Sequence, residues 1–296
     1  MHDDLISINS EQVAALLADQ MPTLAGLDIR SLGTTGTVNA IFRVGDSITA
    51  RFALRPDDPE QALTRLRLES AASAEFALVS SVAAPDPLGI GRPGHGYPMP
   101  WSTQSWLPGV TASPDSHETS LTLALDVAEL VDRLRQSNTR GRRFSGDGRG
   151  GQLSDHDEWV DECITRSDGL LDSDSMRRLW SRLRLLPRED PDVMCHGDLT
   201  PLNLLVTGER LTGVLDTGGF QAADPALDLV AAWHLFGESP RAAMRNALGC
   251  SDLQWERGAA WAFQQAAGAH WYYLQTNPAM AEMGATTLHR LIKAYA

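Results

Sequence analysis

His196, Asp198 and Asn203 fall close together in MCHGDLTPLNLLV (194–206), and Asp216 follows in GVLDTGG, thirteen residues after the asparagine. Two carboxylates and an amide at this spacing suit phosphoryl transfer from a nucleotide. One carboxylate orients an acceptor hydroxyl and receives its proton. The amide oxygen helps hold a magnesium ion, and the second carboxylate bridges the metals. The transition state of such a transfer is loose, so positioning and charge neutralisation supply most of the catalysis. An isolated His-x-Asp carries little information, and these side chains can also cap turns and satisfy backbone groups. The flanking pattern has to separate the two readings.

That pattern is a hairpin. The apolar runs Leu204–Val206 and Leu211–Leu215 flank TGER, a turn-forming tetrapeptide. Asn203 then opens one short strand and Asp216 closes the next, which brings Asp198, Asn203 and Asp216 to the same hairpin end. Upstream, NSEQVAALLADQ (9–20) reads as a helix capped by Asn9 or Ser10. Strand-like pieces follow, with GTTGT (33–37) and GDS (45–47) as turns. Residues 60–80 read as a long helix with Leu63, Leu66, Ala72, Phe76 and Val79 on its core face. WSTQSWL is strand-like and ends at Pro108–Gly109, which predicts a β-rich lobe over 1–107 and a mainly helical lobe over 108–296. Within the second lobe NTRGRRFSGDGRGGQ (138–152) is poor in apolar residues and rich in Gly and Arg, and reads as a flexible loop.

Composition narrows the class. A length of 296 residues predicts two lobes, and 43% hydrophobic with 21% charged residues is that of a soluble globular chain. No apolar run approaches the roughly 20 residues that span a bilayer, and the acidic start MHDDLISINS lacks a signal-peptide layout. Cys163, Cys195 and Cys250 form neither a disulfide framework nor a zinc pattern, which suits a cytoplasmic location. A net charge of −13 disfavours nucleic acid and anionic membranes; it suits a cationic partner or plain solubility. Lys293 is the sole lysine, so a catalytic lysine would have to come from the far C-terminus. Oligomeric state is not legible.

The chain resembles the aminoglycoside phosphotransferase family, small-molecule phosphotransferases of protein-kinase-like fold. The resemblance is carried by GTVNAIFRVGD, YPMPWSTQSWLPG, GRGGQL, HGDLTPLNLLV, DPALDLVAAWHLF and AWAFQQAAGAHWYYLQTNP. It implies an α+β, two-lobe fold, a β-rich N-lobe with one long helix and a mainly helical C-lobe. It implies ATP, with GTP not excluded, and Mg²⁺. Asp198 would be the catalytic base, His196 a support of its loop, and Asn203 and Asp216 the magnesium ligands. Asp224 and Asp228 match family positions, with Asp228 orienting the catalytic loop. Where the family carries a strand lysine, this chain offers Arg51, paired with Glu69 of the long helix; Arg55 and Glu75 are the alternatives. Thr34, Thr35 and Gly36 would lie over the phosphates, and Ser105, Trp106 and Leu107 would form the hinge at the adenine.

The expected acceptor is a hydroxyl of a small, cationic molecule, an aminoglycoside or related antibiotic. Asp155, Asp157, Glu158, Trp159, Asp161 and Glu162 are clustered in sequence, and Trp233, Trp261, Trp271, Tyr272 and Tyr273 come later. Carboxylates pair with ammonium groups and aromatic faces attract cations. The same acids also suit a solvated helix start and the same aromatics a core. The alternatives are a kinase for a housekeeping metabolite such as an amino alcohol or sugar, and a kinase-like module that holds nucleotide without turnover.

Overall fold

The structure is a computed structural model that describes residues 5–33, 39–146 and 148–295. The chain divides into two compact units, Met1–Leu78 with Ala84–Pro108, and Val79–Ala83 with Gly109–Ala296.

The first unit opens with helix α1 (Ser10–Gln20), where the Asn9 side chain accepts from the Gln12 N–H and the Gln12 side chain accepts from the Asn9 N–H. This reciprocal cap fixes the helix start that the sequence indicates. Strands β1 (Ile29–Ser31), β2 (Asn39–Val44) and β3 (Ile48–Ala53) follow, then helix α2 (Pro59–Val79) and strands β4 (Pro87–Gly91) and β5 (Trp101–Ser105). They form one antiparallel sheet in the order β1-β2-β3-β5-β4. Alternation along β2 and β3 sends Ala40, Phe42, Val44, Ala50 and Phe52 inward against Val13, Leu16 and Leu17 of α1. Phe52 lies 5.2 Å from both Tyr97 and Trp101, stacked on the latter. In α2 only Ala62 and Phe76 are deeply buried. Leu63, Leu66, Ala72 and Val79 are half-buried, so the expected core face is only partly covered.

The second unit contains strand β6 (Val110–Thr111) and helices α3 (Pro114–His117), α4 (Leu121–Gln136), α5 (Asp157–Arg166) and α6 (Ser173–Leu183). Strands β7 (Val193–Cys195), β8 (Leu204–Thr207), β9 (Arg210–Val214) and β10 (Gln221–Ala223) come next, then helices α7 (Val230–Leu235), α8 (Glu238–Leu248), α9 (Asp252–Tyr273) and α10 (Pro278–Tyr295). Helix α4 buries Leu123, Val127, Leu130, Val131 and Leu134, a stripe at helical spacing, and Ser120 caps it. Helix α9 is rich in Ala and buries Trp255, Trp261 and Phe263 as well. Small residues let its neighbours come close: a Cβ on Gly284 of α10 would sit 2.8 Å from the Ala269 Cβ of α9. The β8–β9 hairpin pairs Leu204 with Val214, and β6 flanks β8, while β7 pairs with β10. Among the described residues no helix is long and apolar enough to cross a membrane.

Candidate active site

The site is built at the end of β7, whose Met194 and Cys195 are buried. The chain leaves that strand through Gly197 at φ +86°, a left-handed conformation that glycine adopts without steric cost. Asp228 fixes this turn. One carboxylate oxygen accepts the His196 N–H and the other the Gly197 N–H, both at 2.8 Å. Asp228 is almost fully buried, and desolvation pushes its pKa up, opposed by those two backbone donors.

His196 ties the turn to the far strand. Its Nδ1 lies 3.2 Å from the Asp198 N–H, and its Nε2 lies 2.9 Å from the Leu215 carbonyl. An accepting Nδ1 and a donating Nε2 define the neutral Nε2–H tautomer. His196 thus links the loop of Asp198 to the residue before Asp216.

Asn203 closes a short turn over Pro201–Asn203, and its amide nitrogen donates to both the Asp198 carbonyl (2.8 Å) and Asp198 Oδ2 (3.0 Å). Its donor side is spent inward, so Oδ1 is the atom with ligand chemistry. The Leu215 N–H donates to the Asn203 carbonyl at 2.8 Å, holding the two hairpin ends together. Asp216 follows in the left-handed region, at φ 57° and ψ 45°, with its side chain exposed. A non-glycine residue there carries strain of about 1–3 kcal/mol. Asn203 and Asp216 offer hard oxygen donors of the kind magnesium takes. Among the described residues no group of three or more His, Cys, Asp or Glu is placed to hold a metal. Magnesium bound through one or two carboxylates plus substrate phosphates needs no such cage, so the donor set fits.

The sequence reading missed one participant. Arg149 Nη2 donates to Asp198 Oδ1 at 2.8 Å and lies 3.5 Å from the Gly197 carbonyl. Arg149 comes from the loop expected to be flexible, 138–152, and the residues that follow it, Gly150 and Gly151, are buried. Gly150, at φ +122°, accepts the Asp224 N–H at 2.9 Å, and a Cβ there would sit 2.6 Å from the Ala223 Cβ. A Cβ on Gly151 would sit 2.7 Å from the Phe144 ring, and the Gly151 carbonyl accepts from Arg257 Nη2 at 3.2 Å. Asp224 and Arg257 form an ion pair in which each side chain is only 2% exposed, and Trp261 Nε1 donates to the same Asp224 oxygen at 2.8 Å. Gly150 and Gly151 allow this close packing. An arginine set among glycines was the available signal, and low apolar content masked it.

Thr34, Thr35 and Gly36 fall outside the described residues. Arg51 is half-buried on β3, paired in register with Ile41 and Ser102, on the sheet face opposite Phe52. Glu69 is exposed on α2. In the expected hinge, the Ser105 N–H donates to the Asp86 carbonyl (2.9 Å) and the Trp106 N–H to the Ser47 carbonyl (2.8 Å). The Trp106 ring carries the Arg43 guanidinium 4.5 Å from its centroid. Two of the three hinge N–H groups therefore point into the sheet, while Leu107 is half-buried.

Of the acceptor candidates, Asp157 is structural, accepting from Arg184 and from Trp180 Nε1, and its pKa is held down by the Arg184 hydrogen bond. Trp233 and Trp261 are core residues. Asp155, Glu158, Trp159, Asp161 and Glu162 are exposed, and Trp159 packs 6.4 Å from Trp271, with Tyr272 and Tyr273 adjoining it. His156 meets the Trp261 edge at 5.3 Å, and burial lowers its pKa, with Arg149 adding to the effect. A cavity of about 250 Å³ borders the turn at Pro201 and Leu202, with Glu118 and Arg290 in its wall.

A model of the phosphotransferase enzyme family matches residues 32–261. Solved structures share the fold over nearly the whole chain. The GDP and kanamycin complex of APH(2")-IIIa is 19% identical at a TM-score of 0.70, covering 96% of this chain and 99% of that one. Wild-type aminoglycoside 2'-phosphotransferase-IIIa with GDP is 18% identical at 0.71, covering 97% and 100%. The macrolide 2'-phosphotransferase MphH from Brachybacterium faecium is 20% identical at 0.60, covering 95% and 98%. No curated protein sequence matches.

Proposed function

The chain belongs to the phosphotransferase enzyme family, and from that premise we propose that it transfers the γ-phosphoryl group of ATP or GTP to a hydroxyl of a small cationic molecule, an aminoglycoside or related antibiotic. The observation that carries this reading is the Asp198 carboxylate, held from two sides by Asn203 and Arg149, with Asn203 bonded through its backbone to Leu215, the residue before Asp216. A carboxylate has about four lone-pair positions, so Asp198 can accept two donors and still receive an acceptor hydroxyl. In this reading Asp198 aligns that hydroxyl and takes its proton as the oxygen attacks phosphorus. Asn203 Oδ1 and the Asp216 carboxylate would hold Mg²⁺, which supplies charge neutralisation on the phosphates when bound. Asp228 and His196 keep the Asp198 turn in place through backbone hydrogen bonds.

We assign nucleotide binding to the first unit, with Arg51 and Glu69 in place of the usual lysine–glutamate pair and Leu107 as the adenine-facing hinge residue. The Thr34–Gly36 turn would cover the phosphates. GDP in two of the similar structures makes GTP a donor to be tested beside ATP. Exposed Asp155, Glu158, Asp161 and Glu162 and the net charge of −13 favour a cationic acceptor.

The test is nucleotide consumption with a panel of kanamycin, a macrolide and an amino alcohol, with ATP and GTP in parallel. Turnover with kanamycin is expected. Turnover on the amino alcohol alone would replace the antibiotic reading with a metabolite kinase, and nucleotide binding without turnover on any hydroxyl would favour a binding module.

A further inference from the structure

The phosphotransferase reading as it stands assigns no side-chain cation to the base, yet Arg149 is bonded to Asp198. We propose that Arg149 is a catalytic residue of this chain: it holds the Asp198 carboxylate and turns its remaining N–H groups to the oxygens of the phosphoryl group in transfer. The inference rests on the proposed phosphoryl transfer at Asp198.

Reach supports it. Arg149 Nη2 is 2.8 Å from Asp198 Oδ1. An acceptor hydroxyl on Asp198 lies roughly 2.6–3.2 Å away, and its phosphorus about 3–3.5 Å farther in an attack geometry. A guanidinium presents five N–H donors in a planar fork, so a group that spends one on Asp198 keeps others for equatorial phosphoryl oxygens. In the step itself the acceptor O–P bond forms and the bond from phosphorus to the bridging oxygen breaks. The hydroxyl proton goes to Asp198, and the nucleoside diphosphate leaves with the bonding pair. Negative charge spreads over the oxygens that Arg149 would face.

Stability does not account for the arrangement. The Arg149 and Asp198 side chains are 32% and 37% exposed, and pairs so open to water contribute little. Yet the loop that delivers Arg149 is closely built. Gly150 and Gly151 pack where no side chain fits, and their carbonyls are fixed by the Asp224 backbone and by buried Arg257. The chain's sole lysine, Lys293, is exposed at the end of α10. An arginine loaned by a fixed loop is a direct way to put positive charge next to Asp198.

The test compares wild type, Arg149→Ala and Arg149→Lys. Binding of Mg·ADP and Mg·GDP is measured by calorimetry with and without aluminium fluoride, which mimics the phosphoryl group in flight, and melting temperature is followed alongside. Turnover is measured with the acceptor found by the panel. Wild type should gain affinity on addition of aluminium fluoride, while Arg149→Ala should bind the diphosphate equally well and lose that gain. Its kcat should fall about 10²- to 10³-fold with KM for nucleotide little changed, recovering in part in Arg149→Lys and on adding guanidinium ion. An equal gain in Arg149→Ala, no gain in wild type that does bind the diphosphate, or a kcat within about threefold of wild type overturns the proposal. Wild type that binds neither diphosphate removes the phosphotransferase reading itself.

Discussion

At the scale of single residues, buried polar groups determine what the site can do. Asp228 accepts from two consecutive backbone N–H groups, one on each carboxylate oxygen, so a buried charge helps hold the turn that carries Asp198. His234 shows the cost of burial more directly. It is fully enclosed, with Nδ1 3.0 Å from Thr287 Oγ1 and Nε2 2.9 Å from Gln265 Oε1, and desolvation pushes its pKa down to about 4. The unfolded imidazole titrates near 6.5. Between these values the unfolded chain binds more protons than the folded one, so stability rises with pH from about 4 to about 6.5 and then levels off. Urea unfolding should show that at about pH 4.5 wild type has lost roughly 2–3 kcal/mol more of its neutral-pH stability than His234→Gln has. Equal losses would mean that His234 is protonated in the fold. Asp228, whose pKa is raised, contributes with the opposite sign and cancels in the comparison.

At the scale of elements, the hairpin was legible and the Arg149 loop was not. Apolar runs on both sides of TGER fix two largely buried strands, and a hairpin register follows from its turn, so Asn203 comes to lie beside Leu215, the residue before Asp216. The capped α1 and the GDS hairpin were readable for the same local reasons. Arg149 and Asp198 are 49 residues apart, and nothing local pairs them. The loop that carries Arg149 is bonded at Gly150 and Gly151 to Asp224 and Arg257, which pair across 33 residues in the interior. Removing one member of that buried pair, by Asp224→Ala or Arg257→Ala, should cost about 3–5 kcal/mol because the other charge is stranded. Changing both, Asp224→Leu with Arg257→Met, should cost clearly less than the sum, as read from a double-mutant cycle in urea. Simple additivity would show that the pair is not the anchor of this loop. The long helix α2 was right in extent and overread in burial, since helical periodicity reports a face and not what covers it.

At the scale of the whole molecule, the chain combines a β-sheet unit with a helical unit, and the phosphotransferase family to which it belongs accounts for that division. Its acceptor is the least legible property. Exposed acids and a net charge of −13 fit a cationic molecule, but the same charges keep any acidic protein in solution. The Asp198 carboxylate and its hydrogen-bond partners, by contrast, are defined atom by atom. The most direct measurement is therefore single-turnover transfer of labelled γ-phosphoryl from ATP or GTP to the acceptor found by the panel, in wild type and in Asp198→Asn. The account predicts a phosphorylated acceptor from wild type and transfer slowed by about 10²- to 10⁴-fold in the variant, with nucleotide affinity retained. Transfer by Asp198→Asn at the wild-type rate would contradict it.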